Sequence, residues 1–262
     1  MIRALYTAAS GMSAQQSNMD NVAHNLANVN TAGFKKSRVE FEDLVYQELR
    51  VAGSATSPTG EAPVGLEFGL GTRPVGTARD FGTGNLRQTN APLDIAIQGN
   101  GFFQVNLPDG TIGYTRAGAF HRDAQGVLVT AEGYPLEPQI TVPAEATTVS
   151  ISAQGIVSAT IAGQSAAQQL GTIELANFQN PAGLRPLGGN LFGVTTASGE
   201  PQTGVPGLEA RGTLVQGMLE DSNVSVVEEM VAMILGQRAY EANSKVLRAA
   251  DEMLSQVNNI VR

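Results

Sequence analysis

Two histidines, no cysteine and no tryptophan leave this chain little equipment for chemistry. His121-Arg122-Asp123 has the order that opens a kinase catalytic loop, but no Asn follows at the required spacing and no Asp-Phe-Gly triplet or strand lysine accompanies it. His24 has no second ligand within helical reach, so a metal site is not expected there. Gly99-Asn100-Gly101 and Gly65–Gly71 are glycine-rich, yet neither is followed by Lys-Ser or Lys-Thr. Both flank strand-like sequence rather than a helix start, and they read as turns, not phosphate loops. The carboxylates are scattered and offer no pair for general acid–base work. Asn223-Val224-Ser225 matches a glycosylation sequon, but its position just before a helical pattern explains it as a cap. The expectation is therefore no catalytic residue, no cofactor and no metal: a protein that is not an enzyme.

Composition points the same way. With 262 residues, of which 42% are hydrophobic, the chain can bury two or three compact cores. Thirty glycines and only 5% aromatic residues favour short strands joined by many turns. The formal net charge is −8, the only lysines are Lys35, Lys36 and Lys245, and no basic residue lies between Arg122 and Arg185. Such a surface argues against nucleic acid and against an anionic membrane as partners. No run of about 20 apolar residues is present to span a bilayer, so no direct membrane insertion is expected. Met1–Tyr6 lacks the uninterrupted apolar core of a secretory leader, and the expectation is export without a cleaved signal peptide. The absence of cysteine suits a protein that leaves the cytoplasm without mispairing.

The elements themselves fall into two kinds. From Ile2 to Asn30 there is no proline and one glycine, Gly11. Leu5, Met12, Met19 and Leu26 recur every seven residues, as do Val226, Met233, Tyr240, Leu247, Leu254 and Val261 at the other end. Both series predict helices with coiled-coil-like stripes, and Ser225 with Glu228 three residues on predicts the start of the second. Such helices are marginal alone, so each stripe either packs on its own domain or joins the ends to one another and to further copies. Gln15, Asn18, Asn25 and Asn28 are expected to face away, toward a lumen if the helices form a tube. Between the ends the period falls to two. Leu93–Ile97 alternates, Phe103–Leu107 runs into Pro108-Asp109-Gly110, and Ile112–Tyr114 resumes beyond the turn, predicting a hairpin. Further strands are expected at Val127–Thr130, Val149–Ser152, Val157–Ile161 and Thr172–Leu175. Gly53–Pro63 has linker composition and either loops freely or orders against a neighbour.

Three stretches then carry a resemblance. Asn18–Lys35, with its run Asn-Leu-Ala-Asn-Val-Asn-Thr-Ala-Gly-Phe-Lys, is similar to the N-terminal signature of flagellar rod and hook proteins. Pro92–Phe103 with Tyr114–Phe120 resembles the central signature of that family, and Ser222–Val224 with Glu229–Met230 and Gln237–Asn243 its C-terminal one. The resemblance implies an α+β fold: paired terminal helices (1–33 plus 223–262), a connecting region (34–88 plus 203–222), and an outer β domain (89–202). It implies a homopolymer that contacts proximal-rod proteins, the hook protein or its junction, the peptidoglycan-ring and outer-membrane-ring proteins, the rod cap and the flagellar type III export apparatus. The segment Tyr46–Pro63 resembles the stretch that marks the distal-rod branch, with a proximal-rod paralogue or a non-flagellar soluble binding module as alternatives. Leu5, Met12, Met19, Leu26, Val226, Met233, Tyr240, Leu247, Leu254 and Val261 are the expected assembly residues. Tyr46, Gln47, Arg50, Pro58 and Pro63 are the expected straightening stretch.

Overall fold

The structure, a computed structural model, describes residues 2–57, 60–161 and 166–260. Its chain divides into two compact units, one made of Met1–Leu26, Ser37–Ala78 and Ser225–Arg262, the other of Ala27–Lys36 and Arg79–Val224.

The first unit holds both helices. α1 spans Ile2–Ala27 and α2 spans Val226–Ile260. Freedom from proline lets both run uninterrupted, and Glu228 and Glu229 in the first turn of α2 complement the positive end of its dipole. The predicted cap is present but long: the Glu228 amide lies 3.5 Å from Ser225 Oγ. Two antiparallel ribbons or strand pairs accompany the helices. Ser37–Asp43 pairs with Thr72–Arg79, and Tyr46–Arg50 pairs antiparallel with Leu66–Gly69. Part of the expected linker is therefore strand, and Ala55–Ser57 with Gly60–Glu61 closes a short hairpin within it.

The second unit is built on a seven-stranded sheet. Its order is Arg185–Gly188, Leu191–Gly193, Ile112–Thr115, Phe102–Asn106, Leu175–Asn177 and Gln202–Gly204, with Leu136–Glu137 also pairing Phe102–Asn106. The predicted hairpin sits at its centre, with Tyr114 opposite Gln104 and Thr115 opposite Phe103. Asp109 ties its turn by accepting from both the amide and the hydroxyl of Thr111. A three-stranded sheet, Ala146–Ile151, Ile156–Ile161 and Gln168–Thr172, packs its inner face into the same core. Thr172–Leu175, expected as one strand, is instead the passage between the two sheets: Thr172 ends one strand and Leu175 begins another. The alternation is right, but a break in register at Ile173-Glu174 hands the chain to a different partner. Ile95, Phe103, Phe120, Leu128, Leu136, Ile173 and Leu175 form the main core, and a second cluster stacks Phe81, Phe102, Tyr114, Phe178 and Phe192 edge to face.

Candidate functional site

Within the first unit α1 and α2 pair antiparallel. Asn25 touches Glu229, Met19 lies against Gly236, and Gly11 lies against Asn243. A methyl group in place of the Gly11 hydrogen would sit 2.9 Å from Asn243 Nδ2, and one at Gly236 would sit 3.1 Å from Met19 Cγ. The axes approach this closely because the seam is made of small residues. Ala8, Ala14, Val22 and Asn25 of α1 and Glu229 and Ala250 of α2 are buried.

The expected assembly residues distribute as follows. Leu5, Met12, Met19 and Leu26 are half-buried, as are Met233, Leu247 and Leu254, whereas Val226 and Tyr240 are exposed. Val261 lies outside the described residues. The seven-residue period on α2 has a second phase, Glu229, Gly236, Asn243 and Ala250, and this phase faces α1. Large apolar side chains are left outside: Val227 is 71% exposed and Leu235 61%, with Met230, Val231 and Ile234 beside them at helical spacing. Asn25, expected on a lumen-facing surface, is buried at 2% exposure, because its amide is occupied by Ser37 and Glu229.

The straightening stretch forms a second exposed surface in the same unit. Tyr46, Gln47 and Arg50 lie on the ribbon Tyr46–Arg50, every residue of which is exposed. Pro63 follows the hairpin and is exposed, and Pro58 lies outside the described residues. Val45, Tyr46, Leu49, Val51, Val64, Leu66 and Phe68 are exposed apolar groups on or beside this two-stranded ribbon. The Asp43 carboxylate beside Tyr46 accepts its hydroxyl proton's hydrogen bond and holds the phenol above its usual value.

The second unit contains a site that the sequence reading missed. Lys35 is fully buried, and its Nζ donates to Glu220 Oε1 and to the Gly82 carbonyl, both at 2.6 Å. Arg116 donates to both carboxylate oxygens of Glu220, from Nε at 3.0 Å and from Nη2 at 3.2 Å. Its Nη1 reaches the Gly99 and Gly101 carbonyls, and the Gly84 amide completes the shell of Glu220 Oε1. Burial pushes the Lys35 ammonium below its ordinary value, more than attraction to Glu220 restores, and Arg116 pushes the same way. The network joins segments far apart in sequence. The chain passes between its two units after residues 26, 36, 78 and 224. Gly33 and Lys35, Gly82 and Gly84, and Glu220 therefore tie together the second unit's ends of these passages. Lys35 and Arg116 belong to two of the quoted signatures and Glu220 stands two residues before the third, which was the available signal.

The apparent catalytic triplet dissolves. His121 and Arg122 pair with Val129 and Leu128 on a short ribbon, and the Asp123 carboxylate accepts from the amides of Gln125 and Val127 to close its turn. Among the described residues no cluster of His, Asp and Glu could hold a metal ion, and no helix is long and apolar enough to cross a membrane.

Comparison with known proteins covers both units. Family models for the flagella basal body rod protein, the flagellar hook protein FlgE/F/G D1 domain and the flagellar basal body rod FlgEFG protein C-terminal match residues 5–35, 96–159 and 215–260. The chain is 50% identical to the flagellar basal-body rod protein FlgG of Borreliella burgdorferi, over the full length of both. It is 48% identical to FlgG of Buchnera aphidicola from Acyrthosiphon pisum, over 99% of this chain and 100% of that one. It is 45% identical to FlgG of Caulobacter vibrioides over 99% of each.

Proposed function

The chain belongs to the FlgG family of flagellar basal-body rod proteins, and from that premise we propose that it is the distal-rod subunit, polymerising through its paired helices into a stiff hollow drive shaft. It is a structural rod subunit and assembles with other flagellar components at the basal body. The observation that carries the mechanism is the apolar row Val227, Val231, Ile234 and Leu235, exposed on a helix whose other face is already satisfied by α1. A monomer gains nothing from such a row, whereas a neighbouring copy that covers it gains about 1.5–3 kcal/mol per side chain. Contacts of this kind between identical chains, repeated head to tail, give an open helical polymer.

In this reading the helices line an inner tube, residues 34–88 and 203–222 connect, and 89–202 lie outermost. The ribbon bearing Tyr46, Gln47 and Arg50 clamps the next copy and keeps the tube straight, and the remaining stripe residues, from Leu5 to Leu254, complete the inner contacts. The partners are proximal-rod proteins below, the hook or its junction above, and the peptidoglycan-ring and outer-membrane-ring proteins around the shaft. The chain crosses the periplasm after uncleaved export through the flagellar type III apparatus and assembles under a rod cap. It has no catalytic role.

The test is electron microscopy of the full-length chain at high concentration beside the Val231→Asp/Leu235→Asp variant and a chain lacking 46–63. Straight hollow tubes from the full-length chain, none from the double variant with an unchanged melting temperature, and curved tubes from the deletion are expected. Tubes of equal yield from the double variant would remove α2's outer row from the interface.

A further inference from the structure

The seam between α1 and α2 poses a problem that its own packing solves only in part. On α2 the seam positions Glu229, Gly236, Asn243 and Ala250 repeat every seven residues, and three of the four are small or short polar residues. A slide of α2 by one heptad, about 10.5 Å along the axis, brings Gly236 or Ala250 opposite Gly11 in place of Asn243. Either fits the space at least as well, since Gly11 approaches Asn243 within 2.9 Å of its added methyl position. Close packing of small residues therefore discriminates weakly between registers: Met19 over Gly236 is the large side chain seen in the contact, and the bulky Val227, Val231, Ile234 and Leu235 are on the outside of the helix.

One end of the seam is different. Ser37, the first residue after the chain re-enters this unit, holds the Asn25 amide at both of its groups: the Ser37 amide donates to Asn25 Oδ1 at 3.0 Å, and Asn25 Nδ2 donates to the Ser37 carbonyl at 2.8 Å. Asn21 grips the same serine, donating to its carbonyl at 2.7 Å and accepting from its hydroxyl at 2.5 Å. With its acceptor and one donor hydrogen committed, Asn25 has one hydrogen left, and that hydrogen points to Glu229 Oε2 at 3.2 Å. Both residues are buried, at 2% and 9% exposure. In a register shifted one way Asn25 would meet Gly236, which has no acceptor side chain, and in the other it would pass the start of α2. Either slip leaves a buried carboxylate or amide hydrogen without its partner, which is the penalty that discriminates.

We infer that Asn25 and Glu229, with Asn25 oriented by Asn21 and Ser37, select the register of the α1/α2 pair. A single buried polar contact in an otherwise permissive helical seam sets alignment in this way. A one-heptad slip keeps the same α2 face inward but moves its outward side chains about 10.5 Å along α1, so these residues act as specificity determinants for the surface the pair presents.

The absence of cysteine makes the test direct. In the full-length chain, Gly11→Cys with Asn243→Cys reports the observed register, and Gly11→Cys with Gly236→Cys or with Ala250→Cys reports the two slipped ones, because cysteines whose Cα atoms are more than about 7 Å apart do not bridge. Oxidation is carried out at low concentration and the intramolecular product is quantified. The native pair alone should cross-link in the otherwise unchanged chain. With Asn25→Ala and Glu229→Ala added, the ratio of native to slipped product should fall by about tenfold or more, the order expected for losing a hydrogen bond to a charged group. Glu229→Gln, which keeps an acceptor for Asn25, should restore most of the ratio. An unchanged ratio in the double-alanine chain overturns the inference. So does loss of all three products, since the network would then hold the helices together rather than align them, and so does failure of Glu229→Gln to rescue.

Discussion

Replacing Glu220 with leucine removes the carboxylate that Lys35 and Arg116 share, and it leaves two cations in a site with almost no solvent. Leucine is close in volume, so the perturbation is electrical rather than a cavity. Lys35 keeps the Gly82 carbonyl and Arg116 keeps the carbonyls of Gly99 and Gly101, but five contacts to Glu220 side-chain or backbone oxygens are reduced to the backbone one from Gly33. Breaking a buried ion network by deleting one member destabilises by about 3–5 kcal/mol, because the remaining charge is buried and unpaired. For a unit of this size each kcal/mol moves the transition by about 2–4 °C, so a fall of roughly 6–20 °C is expected. The assay is scanning calorimetry of the full chain with Glu220→Leu beside Lys35→Met/Arg116→Met/Glu220→Leu. The triple variant should recover much of the loss, since an apolar replacement of the whole network removes the desolvation penalty with the charges. A Glu220→Leu melting temperature within about 2 °C of the unchanged chain would refute the reasoning, as would a triple variant less stable than the single.

Two further outcomes are expected. Gly118→Ala places a methyl 1.6 Å from the Ile95 carbonyl oxygen, against backbone that already donates from Ile95 to the Gly118 carbonyl, and should destabilise by at least about 2 kcal/mol in urea unfolding; an unchanged midpoint would contradict the packing at this crossing. Lys35 titrates below its ordinary 10.5, so between its lowered value and 10.5 the unfolded chain binds more protons and this residue's contribution to stability rises with pH. The stability difference between the unchanged chain and Lys35→Met should therefore shift in favour of lysine as pH rises toward 10.5, and a difference that moves the other way would mean that pairing with Glu220 outweighs burial.

How much was legible differs from element to element. The central hairpin was readable because Pro108-Asp109-Gly110 is a local instruction, with Asp109 closing the turn through Thr111 two residues away. The helices were readable because period and freedom from proline are properties of a continuous stretch. Thr172–Leu175 was misjudged because alternation records that a residue is half-buried, not which strand it pairs with, and two sheets of one core impose the same alternation. The ribbon at Tyr46–Arg50 escaped because strands exposed on both faces carry no periodic signal at all.

The sequence by itself determined the class of the protein: terminal helices, a β-rich middle, no grouping of residues that reads as chemistry, and three signatures whose order identifies the rod and hook family. Tertiary structure decided which side of each helix is used. A seven-residue repeat is present in more than one phase on α2, and only the approach of Gly11 to Asn243 and of Met19 to Gly236 selects the phase that turns inward. It also decided the fate of Lys35, Arg116 and Glu220, which look like ordinary surface charges when read along the chain. Their separations in sequence exceed anything a local pattern can encode, and a charge becomes structural only when folding removes the water around it and supplies its partner.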